Sequence, residues 1–268
     1  EKLRNHSLKA WFAVCWIILI LIFTLGPLSA IVLDSFRKFE NGEWIYTWYW
    51  YDKLFSWREN NHFLSSLWNS LRIGLGSALI SSLCGLGLVS LIAYKKGGQR
   101  RFWEVLTLFP LALSTVVFGV AWFHFYQGHL AGTVPLIYVV MGMHALLTCP
   151  YWIRVVLPTL ESIPWQWHIE SKMLGKKPLE YALWILWPWL RKTFLIAFFF
   201  SFSLSLGELN STMMIADDNV RTLPLEIYGA ISGYRFSYAS AVAVVLLFLS
   251  VSTFLAVERS LGKFEIFK

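Results

Sequence analysis

Residues 165–192 read WQWHIESKMLGKKPLEYALWILWPWLRK. The stretch carries Lys172, Lys176, Lys177, Arg191 and Lys192 and lies between apolar runs long enough to cross a bilayer. Pro164 suits a first helical turn, where its missing N–H would be unpaired anyway, and Gly175 suits a helix stop. A second helix is expected to start near Pro178 and to run through Ile185 to Pro188. The pattern predicts a helix-turn-helix along a membrane surface. On the residues alone, an amphipathic helix held by anionic lipid phosphates accounts for it.

The flanks decide that a membrane is involved. The 268 residues are 57% hydrophobic and only 15% charged, and mean hydropathy is +0.55. Soluble domains hold roughly 45–50% apolar and about 25% charged residues, so the composition points to an all-α membrane protein. The 15 Trp and 11 Tyr fit belts at the two interfaces, where amphipathic rings collect. A net charge of +7 does not mark a nucleic-acid partner, because the basic residues form short clusters beside apolar runs rather than one face.

A bilayer core of about 30 Å takes about 20 helical residues. Candidate spans cover 11–33, 64–93, 102–125, 135–156, 194–216 and 237–257. With these six transmembrane helices, every basic cluster falls on one side. Those clusters are Lys2, Arg4 and Lys9; Lys95, Lys96, Arg100 and Arg101; the lysines and arginines of the 157–193 loop; and Arg259, Lys263 and Lys268. The positive-inside rule then puts both termini in the cytoplasm. The first run is too long for a secretory signal and is expected to span. In the second span, Gly74, Ser77 or Ala78, Ser81 or Ser82, and Gly85 recur every three or four residues, a face that permits close helix contact.

Other features narrow the function. Cys15, Cys84 and Cys149 share no disulfide or metal spacing and read as small core residues. Neither HExxH nor a nucleophile–base cluster is present, so no catalytic residue is assigned. The aromatic loop at 40–57 fits a short strand or an interfacial helix equally well.

In the fifth span Ser201, Ser205 and Glu208 share a helical face, with Asn210 close by. An ionisable group at membrane depth faces the interior or water by default. Two readings stay open: a substrate passage in which Glu208 attracts a cation, or packing serines with Glu208 paired to Arg221 or Arg72. His124 and His144 read as satisfied packing residues. Asp217, Asp218 and Glu226 read as a solvated turn, with contact to an external protein as the other reading.

The 165–192 stretch resembles the cytoplasmic loop signature of ABC importer permeases. Gly175, nine residues, Ile185, one residue, Trp187 and Pro188 reproduce its spacing, with Trp187 where the family has Leu. The family's EAA triplet aligns to Ile169, Glu170 and Ser171, so Ile stands at the Glu position; Leu174 precedes the Gly. Further motifs are similar to the iron(III) and thiamine branch of the family, which is related to the sulfate, molybdate and polyamine permeases. They are Asn69, Ser70 and Leu71; the run from Phe109 to Leu113; Leu206, Gly207, Glu208 and Leu209; and the run from Arg221 to Leu225 with Ile227 and Tyr228.

The resemblance implies a type I permease of the bacterial inner membrane, one half of a substrate pathway. It implies that Ile169, Glu170, Ser171, Leu174, Gly175, Ile185 and Pro188 form a coupling helix docked on a cytoplasmic ABC ATPase dimer. It implies two further partners: a second permease copy or homologous half, and an external substrate-binding protein. An opening Glu1 rather than Met fits the second half of a fused permease. The sequence has no GxxxxGK[ST] loop, so this chain is expected to bind no cofactor, with ATP and Mg held by the partner ATPase. The implied substrate is iron(III) or thiamine. The competing class is an ion-coupled transporter or channel using Glu208 and His144 as a relay.

Overall fold

The computed structural model describes residues 2–56, 62–217 and 219–265. It is helical nearly throughout, because hydrocarbon offers no water to backbone groups and a helix satisfies its own. The order is α1 (Lys2–Asp34), β1 (Arg37–Glu40), β2 (Glu43–Tyr46), α2 (Tyr49–Phe55), α3 (His62–Tyr94), α4 (Gly97–Ala112) and α5 (Thr115–Phe125). There follow α6 (Leu136–Glu161), α7 (Trp165–Met173), α8 (Pro178–Tyr181), α9 (Trp187–Leu206), α10 (Asn210–Ile215), α11 (Leu223–Ser232) and α12 (Phe236–Glu265). A π-helical turn, Tyr126–Leu130, prolongs α5, and a second, Ala182–Leu186, joins α8 to α9 without a break.

Among the described residues, 5 helices are long and apolar enough to cross a membrane, and the bent pair α4–α5 makes a sixth crossing if taken as one. Three sequence expectations change. The span at 102–125 is not straight: its halves meet at 94° across 113–114. The span at 194–216 ends at Leu206 and resumes as α10. The second helix of the loop does not stop at Pro188: α8, the π-helical turn and α9 run on as one helix to Leu206, with the π-helical turn directly before the proline's turn.

By its internal contacts the chain forms two units, one of Glu1–Phe63 with Glu226–Leu246 and one of Leu64–Leu225 with Leu247–Lys268. In the first, α1 leaves its apolar side chains exposed, Phe23 at 75%, as a lipid-facing helix does. The loop after it takes both of the forms the sequence left open. The hairpin β1–β2 turns on Asn41 (φ 53°) and Gly42 (φ 90°), the left-handed pair that a two-residue hairpin requires. The short helix α2 then follows, and Trp50 Nε1 donates to the Arg37 carbonyl at 2.9 Å. Trp57 lies outside the described residues. Asp34, at the end of α1, accepts from Ser240 Oγ of α12 at 2.9 Å. Glu226 is no part of a solvated turn: it is buried in α11 and accepts from Tyr238 Oη at 3.0 Å.

In the second unit α6 is the central element, packed along α9 and against α4. Trp152, Ile153 and Val156 of α6 form one core with Val89 and Ile92 of α3 and with Leu190 and Ala197 of α9. The small-residue face of α3 explains the fit. A Cβ on Gly85 would collide with the Trp152 indole, and one on Gly74 would lie 2.7 Å from the Phe202 ring. Where lipid tails are as apolar as leucine, such close packing holds helices together. A second core gathers Ile73, Leu136, Val139, Val140, Met143, Ile215 and Val220.

Candidate functional site

Two regions carry the residues singled out from the sequence. The first is the hairpin of α7 and α8. Helix α7 ends in a Schellman turn: Gly175 N–H donates to Lys172 O and Lys176 N–H to Ser171 O, each at 3.0 Å. Gly175 has φ +68°, a left-handed conformation costly to other residues. Its Cβ position faces open space, so its backbone alone explains the glycine. Glu180 caps the next helix by accepting from Lys177 N–H at 3.4 Å.

Ser171 is buried, whereas Ile169, Met173 (81%) and Leu174 (76%) stand exposed at the tip of the hairpin. Its base is held by aromatics: Trp167 meets Trp189 edge-on at 5.3 Å, and His168 lies between Trp165 and Tyr181. A cleft of about 410 Å³ separates the two arms, lined by Trp167, Glu170, Ser171, Leu174, Lys176, Trp184 and Ile185. Ser171, Leu174 and Ile185 thus share one cleft. Pro188 stands apart at the start of α9.

The second region is a cavity of about 180 Å³ inside the helices, where the two breaks meet. At the α4–α5 break Leu113 (ψ 144°) and Ser114 (ψ 131°) are extended, just past Pro110, which lies in the last turn of α4 and has no N–H for its ladder. The other break follows Gly207, after which Glu208 leaves the helix. Its Oε1 accepts from both the N–H (2.9 Å) and the Oγ (3.0 Å) of Ser211, capping the first turn of α10. The expected single face of Ser201, Ser205 and Glu208 is therefore interrupted. Ser205 and Glu208 line the cavity, Ser201 is buried on α9 without lining it, and Asn210 is exposed.

The centre of this region is His144, which the sequence places either as a packing residue or, in the competing class, in a relay with Glu208. His144 is 1% exposed, with Nδ1 2.7 Å from Ser205 Oγ and Nε2 2.7 Å from Thr212 Oγ1. It is a satisfied packing histidine, and its two partners stand on opposite sides of the α9–α10 break. Neither partner was legible: Thr212 is 68 residues away along the chain. The only local signals were Gly207 before an acid and Pro110 before Ser114. Nearby, Asp217 accepts from the N–H groups of Asn219 and Val220 at 3.0 Å each, the turn that its side chain favours. Asp218 lies outside the described residues. Asn69 and Ser70, two of the motif residues, hold that segment by donating to Asn219 O (3.0 Å) and accepting from Leu223 N–H (2.7 Å). Among the described residues no group of three or more His, Cys, Asp or Glu gathers as a metal site.

No family model matches the sequence. The chain is similar to the thiamine transport system permease protein ThiP of Brucella abortus, at 23% identity over 192 residues, 71% of this chain. It spans only 35% of that relative's length. It is also similar to the putative 2-aminoethylphosphonate transport system permease protein PhnV of Salmonella typhimurium, at 27% identity over 252 residues, 90% of this chain and 91% of the relative. Its fold matches a chain of a bacterial ABC transporter that imports the acidic polysaccharide alginate, with TM-score 0.72, 17% identity, and coverage of 97% and 99% of the two chains.

Proposed function

We infer that this chain, a multi-pass membrane protein homologous to ABC importer permeases and sharing their fold, is the permease subunit of an ATP-driven importer. In this reading the α7–α8 hairpin docks on a cytoplasmic ATPase subunit, both termini are cytoplasmic, and a second copy or homologous half completes the pathway. One observation carries it: the hairpin presents Met173 and Leu174 exposed at its tip, while its arms continue into α6 and α9, which pack along each other. A short helix fixed to two packed spans transmits rigid-body motion, and Lys172, Lys176 and Lys177 around the apolar tip set its register on a partner. Phosphoryl chemistry then belongs to that partner, which holds ATP and Mg. An external binding protein delivers the solute. The relatives' names favour thiamine or a phosphonate over iron(III).

The ion-relay alternative has less support, because one Glu208 oxygen is engaged in capping α10 and both His144 nitrogens are bonded. The decisive experiment is co-purification of an ATP-hydrolysing subunit. We expect the chain to bring ATPase activity with it, and the double variant Met173→Asp, Leu174→Asp to lose it while remaining in the membrane. ATPase that stays bound after deletion of residues 170–177 overturns the docking role.

A further inference from the structure

The two helix breaks share one cavity, and the helices beyond them share one packing surface. Pro110, Leu111, Leu113 and Thr115 bring the first break to the cavity, and Leu204, Ser205 and Glu208 bring the second. Past the breaks, α10 lies along α5. The approach is backbone-close, since a Cβ on Gly119 would sit 2.6 Å from the Ser211 carbonyl oxygen and 2.8 Å from its Cα. Before the breaks, α4 and α9 pack on α6, whose first half also meets the other pair through the core of Val139, Val140 and Met143 with Ile215, Phe118 and Trp122. Two bodies therefore meet where both backbone ladders are interrupted.

His144 crosses that gap. Thr212 Oγ1 donates to the Glu208 carbonyl at 3.2 Å, which leaves its oxygen to accept from His144 Nε2–H. Nδ1 then accepts from Ser205 Oγ–H. One neutral imidazole, protonated at Nε2, satisfies every group in the chain from Ser205 to Glu208. Because this bookkeeping is complete, the ring specifies one relative position of α9 and α10, which the missing backbone hydrogen bonds no longer do.

We propose that α5 and α10 form a gate that turns as one body about the breaks at 113–114 and 207–209, and that His144 is the pin holding it in the conformation seen here. Breaks of this kind absorb large φ/ψ changes while the helices on either side stay intact, the ordinary design of a hinge. The tight Gly119 contact makes the two half-helices move together rather than separately. What the gate admits rests on the permease reading; the hinge and the pin do not.

The test uses paired spin labels on the full chain in lipid bilayers, with Cys15, Cys84 and Cys149 replaced and dipolar coupling as the readout. Labels at Leu146 of α6 and Met213 of α10 report across the break, and labels at Val120 of α5 and Met213 report within the gate. The variants are His144→Ala and Thr212→Val, the second nearly isosteric. In both, the 146–213 distance gains a second population displaced by more than about 2 Å, the scale of domain rearrangement and hinge closure, while the 120–213 distance stays as it was. An unchanged 146–213 distance in both variants overturns the pin. A shift in His144→Ala alone also overturns it, by assigning the effect to the volume lost. Broadening of the 120–213 distance in Thr212→Val overturns the single-body gate. No substrate or ATPase is needed, so failure here and failure of the permease reading are separate results.

Discussion

Eight residues of α6, about 12 Å of helix rise, separate two contrasting ways of holding membrane helices together. At Trp152 the contact is filled: the indole is wholly buried against Gly85, its Nε1–H without a partner among the described residues, with Ala197 in the same core. At His144 the contact is polar and open on one side: a ring bonded to Ser205 and Thr212 stands beside a cavity of about 180 Å³. The neighbours of Trp152 lie within uninterrupted stretches of α3 and α9, whereas those of His144 flank the break after α9. A filled wedge resists any displacement, because every shift forfeits dispersion contacts. A pair of hydrogen bonds holds one position and, once broken, leaves room to move. The first contact anchors; the second is built to be released.

The sharpest way to break the comparison is to empty the anchor. Trp152→Ala removes a buried indole, costs about 3–5 kcal/mol, and lowers the thermal unfolding midpoint in detergent more than any other change considered. Overfilling the same site should cost less: Gly85→Val forces a branched side chain into the Trp152 ring and costs about 1–3 kcal/mol, read in the same melt. Gly175→Ala puts a Cβ on a left-handed residue at about 1–2 kcal/mol. Because the strain is local to the hairpin tip, the expected loss is in partner ATPase stimulation rather than in the melting midpoint. Thr212→Val has the smallest effect on stability, about 0.6 kcal/mol for an interhelical hydrogen bond in a membrane, yet it should change the 146–213 distance most. If Thr212→Val melted as far below wild type as Trp152→Ala, the division into anchor and pin would fail.

Much of the scaffold was legible. Apolar run lengths locate the helices that can cross a bilayer, because hydrocarbon imposes length and internal hydrogen bonding on any spanning segment. The small-residue spacing at Gly74 and Gly85 announced close packing, which Phe202 and Trp152 supply. Gly175 was legible as a stop, since its left-handed φ is a backbone requirement. The breaks were not. Hydropathy averages over a window, and 102–125 and 194–216 stay apolar through a 94° bend and a capped gap. His144 was misjudged in importance rather than in kind, since nothing near it in sequence names Ser205 or Thr212.

The sequence by itself determined that this is a helical membrane protein and that a helix stops at Gly175 within residues 165–192. Those properties are local or follow from the solvent, and each is written in consecutive residues. Only the tertiary structure decided that Glu208 caps a helix instead of extending a polar stripe, that Glu226 is buried, and that one histidine spans a gap between two half-helices. Such facts depend on which distant side chains meet, and in a bilayer, where burial in lipid costs an apolar side chain nothing, composition leaves those meetings unstated.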